Sequence, residues 1–176
     1  MLDVMAGRGA AAAEGGQATF ESLLVTCARQ AFDLAYAILG DAQDAEDAVQ
    51  EAALKAWAKF GGLQPGSSFR AWFLTIVANQ CRSMRRTRWW RLRHALELPE
   101  VPLRGHEDRA VSRLDLVSLL RQLSPEQQGL LYLYFELDLP HAEIGRILQL
   151  RTGTVKTRLH RVVTRLRRSV EEGPAQ

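Results

Sequence analysis

Wherever this chain shows a regular pattern, its apolar residues recur three and four apart, and no stretch alternates them as a half-buried strand would. That period admits helices and little else. From Phe20 to Leu39 the spacing is continuous, and Gly40 supplies a stop. A second helix begins near Asp41 or Asp44, with acids in its first turn where the helix dipole favours them, and ends at Gly61 and Gly62. "GGLQPGSS" is a loop by composition. A third helix starts at about Phe69 and runs through "RAWFLTIVANQC" into "RSMRRTRWWRLR", residues 82–93.

Beyond it the period lapses. Residues 94–112 hold Pro99, Pro102 and Gly105 and read as a flexible linker. Helical spacing then resumes in "RLDLVSLLRQL", in a helix opened by "SPEQ", in "HAEIGRILQL" and in a long basic segment from Gly153. "SPEQ" is a strong start signal: Ser124 caps, Pro125 suits the first helical position, and Gln127 reaches back as the capping-box partner. The expected architecture is all-α: two small helical domains joined by a flexible linker, the second containing a helix-turn-helix. The expected division is a flexible tail over 1–18, a first domain over 19–93, the linker over 94–112, a second domain over 113–170 and a tail over 171–176.

Charge is sorted into blocks along this frame. Residues 41–51 carry five acids and no base, while 82–93 carry six arginines and no acid, and 151–168 carry seven Lys or Arg and no acid. Blocks of this kind point to separate partners for separate faces. The two tryptophans inside the arginine stretch, Trp89 and Trp90, suit stacking on a base, anchoring the linker or covering the core.

The second domain ends in two helices joined by a short turn. On the last one, Val155, Leu159, Val162, Val163, Leu166 and Val170 gather on one side, and Thr154, Thr157, Arg161, Arg165 and Arg168 on the other. Thr152 is the candidate cap, leaving free backbone N–H groups for a phosphate. Thr154, Lys156, Thr157 and Arg158 lie in the first turns, where a recognition helix meets base edges. Arg161, Arg165 and Arg168 lie where the DNA backbone would run.

On the second helix of the chain, Val49, Ala45, Ala52, Ala53, Ala56 and Phe60 share one side, and Asp44, Asp47, Glu51, Leu54 and Ala58 the other. Acids around an exposed Leu repel DNA. They suit either plain solvation or docking on a basic protein surface with an apolar anchor. Cys27 and Cys81 are far apart, fit no metal spacing and sit on apolar helix sides, as buried free thiols would. The four histidines are scattered without zinc spacing, and no phosphate-binding glycine loop or nucleophile motif occurs, so neither enzyme activity nor a metal or cofactor is expected. No apolar run approaches the ~18 residues of a membrane span, and the N-terminus lacks a signal-peptide core. A cytoplasmic chain without membrane insertion is expected.

"DAEDAVQEAALKAW" followed by "FRAWFLTIVANQCRSMRR" resembles the second conserved region of bacterial extracytoplasmic-function sigma factors. "LSPEQQGLLYLYFELDLPHAEIGRILQLRTGTVKTRLHRVVTRLR" resembles their fourth. The resemblance covers about 20–90 and 113–170, in the family's order. It implies a subunit that gives core RNA polymerase its promoter specificity. Asp44, Asp47, Gln50, Glu51 and Leu54 would then meet the clamp helices of the largest polymerase subunit. The third helix would face the minus-ten element, with Gln64, Ser68, Phe69, Arg70 and Asn79 around an unstacked base of the non-template strand and Arg82, Arg85, Arg86 and Arg88 on phosphates. The basic helix would read the minus-thirty-five element, and an anti-sigma partner, often membrane-bound, would restrain the chain. Ser83 stands where the family often has Asp, Pro140 where a capping Ser or Thr is usual, and Gln149 and Arg151 where Gly and Ser or Pro are common. A free-standing helix-turn-helix repressor or activator would account for the second domain. It leaves the acidic face and the "FRAW…ANQC" helix unexplained.

Overall fold

The computed structural model describes residues 3–64, 66–94, 120 and 122–171, with side chains described within 16–87 and 120–168. Most of the expected linker, the segment "RLDLVSLLRQL" up to Leu119, and the tail over 172–176 lie outside the described residues. So do the side chains of Arg88, Trp89, Trp90 and Val170.

Six α-helices carry the described fold. α1 spans Asp3–Leu39, α2 Ala42–Lys59 and α3 Phe69–His94. α4 spans Pro125–Leu131, α5 His141–Leu148 and α6 Thr152–Glu171. α1 begins at Asp3, not near Phe20, so the segment expected as a flexible tail continues the first helix. The run Ala10–Ala13 has the highest intrinsic helix propensity, which operates without any tertiary contact. α1 ends as expected: Gly40 adopts φ 74° and its N–H donates to the Tyr36 carbonyl at 2.8 Å. Asp41 caps α2, its carboxylate accepting from the Asp44 N–H at 2.9 Å.

α1, α2 and α3 pack on one another. Small residues of α2 allow the close approach: Ala45, Ala48, Ala52 and Ala56 are fully buried against Leu34, Phe73, Leu74 and Val77 in one core. Gly16–Leu39 is long and apolar enough to cross a membrane, which the sequence reading did not anticipate. Its apolar stripe, Phe20, Cys27, Ala31, Leu34, Ala35 and Ile38, is buried in this protein core instead.

The second unit starts at the capping box, with Gln127 N–H donating to Ser124 Oγ and Ser124 N–H to Gln127 Oε1. A π-helical turn over Tyr132–Glu136 continues α4. Pro140 is the N-cap of α5, at φ −66° and ψ 148°. Ile144, Ile147, Val155, Leu159 and Val162 are buried with Leu130 and Leu133 and continue the same apolar core.

The two units also pack on each other. α4 lies against α1 and α5 against α3. The buried apolar residues of both units form one continuous cluster, with Gly129 set against Leu34 and Ile38.

Candidate nucleic-acid interface and docking face

The turn between α5 and α6 is set by backbone chemistry. Gln149 adopts the left-handed conformation at φ 54° and ψ 44°, and Leu150 N–H donates to the Gly145 carbonyl at 2.8 Å. A Cβ on Gly145 would stand 2.7 Å from the Leu150 carbonyl oxygen, so the chain can turn this tightly only past a glycine. The first bond of α6 runs from Val155 N–H to the Arg151 carbonyl at 3.1 Å. That makes Arg151 the N-cap and Thr152 the first helical residue, which corrects the expected cap at Thr152. The left-handed residue at Gln149 completes the turn one position earlier than side-chain preference suggests.

The faces of α6 are as the spacing predicts. Val155, Leu159 and Val162 are buried, and Thr152, Lys156, Thr157, Arg158, Arg161, Arg165 and Arg168 are exposed; Thr154 is half-buried. The Thr157 hydroxyl donates to the Gly153 carbonyl at 3.0 Å, leaving its oxygen free to accept. The result is a helix with threonines in its first turns, basic side chains along its outer face and no acid among the exposed residues just named.

At the other end of the chain, the loop before α3 rests on a platform of rings. Phe60 and Phe69 flank it at 6.0 Å between centroids, and Phe20 sits 5.1 Å from Phe60 and 5.7 Å from Phe69. Trp72 and Phe73 continue the stack at 5.7 and 5.9 Å from Phe69. Phe69 is only 8% exposed, so the expectation that it meets a base is corrected: it anchors the loop. Gln64 and Ser68 are exposed, and Gly66 at φ 82° lies in a turn closed by Ser67 N–H donating to the Gln64 carbonyl at 3.1 Å. Ser68 caps α3, its Oγ accepting from Ala71 N–H at 3.3 Å.

Along α3, Trp72, Thr75, Asn79, Arg82 and Arg86 fall on one face by spacing. From the loop to Arg86 this strip runs about 25 Å at ~1.5 Å per residue, too long to be a single pocket. Arg70 is half-buried at its start. Asn79 accepts from Arg82 Nη1 at 2.6 Å, which fixes that guanidinium along the helix. Burial pushes Arg82 below the ordinary arginine range, against the pull of Glu126 and Cys81. Arg86 is exposed, whereas Arg85 is held by Glu126 at 2.6 Å. Sequence reading did not include Trp72 and Thr75 in this strip, though the spacing 72, 75, 79, 82, 86 marks them.

The outer face of α2 keeps its acids. Asp47, Gln50 and Glu51 are exposed, Asp44 is half-buried, and Leu54 is 66% exposed at the centre. Trp57, 44% exposed, extends the apolar anchor by one turn and was missed in the sequence; its place three residues after Leu54 is the signal that could have found it. Gln43 Nε2 donates to Asp47 Oδ1 at 3.2 Å, and Lys55 stands 3.7 Å from Glu51.

Both thiols are buried as expected. Burial pushes Cys81 up to about 12 and Cys27 above its ordinary value, so neither is a reactive thiolate.

The family model for Sigma-70 region 2 matches residues 23–91, and that for Sigma-70, region 4 matches residues 113–166. The chain is 32% identical over 171 residues to the ECF RNA polymerase sigma factor SigL of Mycobacterium tuberculosis, covering 93% of this chain and 94% of that one. It is 27% identical over 176 residues to the ECF RNA polymerase sigma factor SigW of Bacillus subtilis, covering 90% and 92%. Its structure is similar to the sigma factor RpoE of Bartonella quintana, solved in complex with the anti-sigma factor NepR. The TM-score is 0.72 and the identity 25%, over 85% of this chain and 95% of that one. CnrH, solved with the cytosolic domain of CnrY, shares the fold at a TM-score of 0.65 and 23% identity, over 93% and 94%.

Proposed function

This chain belongs to the extracytoplasmic-function branch of the sigma-70 family, and from that premise we propose how its own residues bind core RNA polymerase and read a promoter. As a sigma factor it directs promoter recognition, DNA melting and transcription initiation. The single observation that carries the assignment of faces is the separation of opposite chemistries on one chain. An acidic face with a Leu54–Trp57 anchor lies on α2, and a basic face lies on the helix that ends a helix-turn-helix.

The α2 face, with Asp44, Asp47, Gln50, Glu51 and Leu54, docks on the clamp helices of the largest polymerase subunit. Charge complementarity steers the encounter there, and the apolar pair supplies the desolvated centre. The strip from Gln64 and Ser68 through Arg70 and Asn79 to Arg82, Arg85 and Arg86 receives the non-template strand of the minus-ten element. Arg88 continues the same arginine run in sequence. Exposed loop groups read the edge of an extruded base while arginines hold phosphates, and Phe69 keeps the loop rigid. α6 enters the major groove of the minus-thirty-five element. Thr152, Thr154, Lys156, Thr157 and Arg158 lie toward the bases, and Arg161, Arg165 and Arg168 on the backbone. The domain division 19–93 and 113–170 follows these two tasks.

The chain acts in the cytoplasm as a binding factor, with no bond-making chemistry of its own. An anti-sigma partner restrains it, as NepR is found on its structural neighbour, and a membrane-bound partner would hold it at the membrane.

The test is to add the purified protein to bacterial core RNA polymerase on genomic DNA fragments. Transcripts starting at discrete sites only when the protein is present are expected. Absence of such starts, with tight binding to a palindromic duplex without polymerase, would overturn the reading.

A further inference from the structure

Two hydrogen bonds inside α3 each engage one half of a polar side chain and leave the other half for a ligand. The Thr75 hydroxyl donates its one hydrogen to the Ala71 carbonyl at 2.8 Å. Toward anything else its oxygen can only accept. Asn79 is fixed in the opposite sense, because Arg82 Nη1 stands 2.6 Å from its Oδ1. A guanidinium carries donors and no acceptor, so the atom it meets must be the amide oxygen. Turning the amide over would set donor against donor. The Asn79 NH2 is then the group left for a ligand, and it only donates.

Arg82 itself is poorly placed to hold a phosphate. Its side chain is half-buried, and Nη2 is buried with no hydrogen-bond partner. Low exposure strengthens the bond that Nη1 makes to Asn79. Arg86, one turn along the same face, is exposed and suits a phosphate better. The Asn79–Arg82 bond joins residues three apart on one helix, so no other element is needed to form it.

Thr75 and Asn79 are four residues apart, so their Cβ atoms stand about 6 Å from each other on one face. An acceptor and a donor held side by side match the edge of a nucleobase. A DNA phosphate offers acceptors alone and would gain nothing from Thr75. Adenine and cytosine set an exocyclic amino donor beside a ring-nitrogen acceptor. Guanine and thymine set an exocyclic oxygen acceptor beside a ring N–H. With the polarity of the pair fixed and the strand entering in one direction, one of these two orders fits and the other does not.

We propose that Thr75 and Asn79 are a fixed-polarity pair, acceptor and donor, that sorts the extruded base into the amino or the keto class, and that Arg82 is a positioning residue holding Asn79 in its donating orientation. This rests on the reading of α3 given under Proposed function, and adds to it Thr75 and a different task for Arg82. Without Arg82 the Asn79 amide turns freely and accepts as readily as it donates. Both orders are then admitted, so selectivity falls further than affinity.

The test uses core polymerase carrying this subunit and single-stranded minus-ten oligonucleotides from a promoter mapped by the transcription assay under Proposed function. Each position in turn holds one of the four bases or an abasic site. At one position both members of one class, adenine and cytosine or guanine and thymine, should bind more tightly than both members of the other. The expected ratio is about five-fold, as for one hydrogen bond. Thr75→Val keeps the shape and removes the acceptor; it and Arg82→Ala should each shrink that ratio and leave binding of the abasic oligonucleotide unchanged. Arg82→Gln keeps an N–H donor for Asn79 without the charge, and should retain the ratio. It also covers the case in which the alanine variant misfolds. Equal weakening on every oligonucleotide in Arg82→Ala, with the slope of log K against log salt lowered by about 0.7, would make Arg82 a phosphate contact and overturn its positioning role. A preference that ignores the amino–keto divide, or that survives Thr75→Val, would overturn the pair. If Asn79→Ala left every preference in place, this face of α3 would not meet the base at all, and the reading under Proposed function would fail with it.

Discussion

Arg85 and Glu126, 41 residues apart in the chain, meet at 2.6 Å and tie α3 to the first turn of α4. Burial alone would raise the Glu126 carboxyl. The hydrogen bond from Arg85, its backbone bond, the Arg85 charge and Ser124 outweigh burial and hold it below the ordinary glutamate range. A carboxylate depressed in this way contributes stability above its ordinary range and stops doing so as pH falls through the lowered value. The charged groups facing it are Arg82 and Arg85. Stability against denaturant should therefore fall as the solution is acidified below the ordinary glutamate range, and Glu126→Gln should flatten that dependence.

Reversing Asp47 and Glu51 to lysine removes complementarity from an exposed face without touching the core. Core polymerase affinity should fall by about ten-fold or more, with the melting temperature nearly unchanged. Leu54→Ala combined with Trp57→Ala should cost a similar factor through the lost apolar centre. Fluorescence anisotropy against labelled core enzyme reads both; unchanged affinity would remove α2 from the docking surface.

For α6 the salt dependence is the sharper readout. Arg161→Ala should weaken binding of polymerase carrying this subunit to promoters of every sequence alike. It should also lower the slope of log K against log salt by about 0.9, the value for one phosphate contact. Lys156→Ala and Arg158→Ala should instead relax the preference at particular minus-thirty-five positions, each by ~1–3 kcal/mol. A slope unaffected by Arg161→Ala would move that residue off the backbone.

The turn before α6 makes opposite demands at two positions. Gly145→Ala drives a Cβ to 2.7 Å from the Leu150 carbonyl oxygen and should destabilise the protein by about 1–3 kcal/mol. Gln149 already sits at φ 54°, where a side chain is strained, so Gln149→Gly should stabilise by about 1 kcal/mol. Chemical denaturation monitored by circular dichroism measures both.

Phe69 separates a structural role from a nucleic-acid one. Phe69→Ala empties the centre of the ring cluster and should cost about 3–5 kcal/mol of stability. If its ring stacked on a base instead, open-complex formation would fall with the melting temperature intact.

Much of this was legible in the residues. The helical period, the helix start near Asp41, the cap at Ser124, the buried thiols and the two faces of α6 follow from local chemistry, and local chemistry is what a sequence displays. Phe69 was misread because a loop aromatic is exposed or buried according to partners far away, here Phe20 and Phe60 on two other helices. Trp57 was missed for the converse reason: a large ring reads as core until the helix is rotated against its neighbours. Thr152 has the right side chain for a cap, yet the backbone of Gln149 fixed the start one residue earlier. The contact between the two units left the faintest trace, since Gly129, Glu126 and Tyr132 gain meaning only beside α1 and α3.

Leu34 and Ile38 of α1 are core residues of the first unit and also the wall against which Gly129 of the second unit rests. A helix shared in this way joins two small units into one cooperative folding block. In a calorimeter the chain should absorb heat in a single peak, and the Gly129→Leu variant, crowded against Ile38, in two, the second unit melting first because it has lost the larger share of its support.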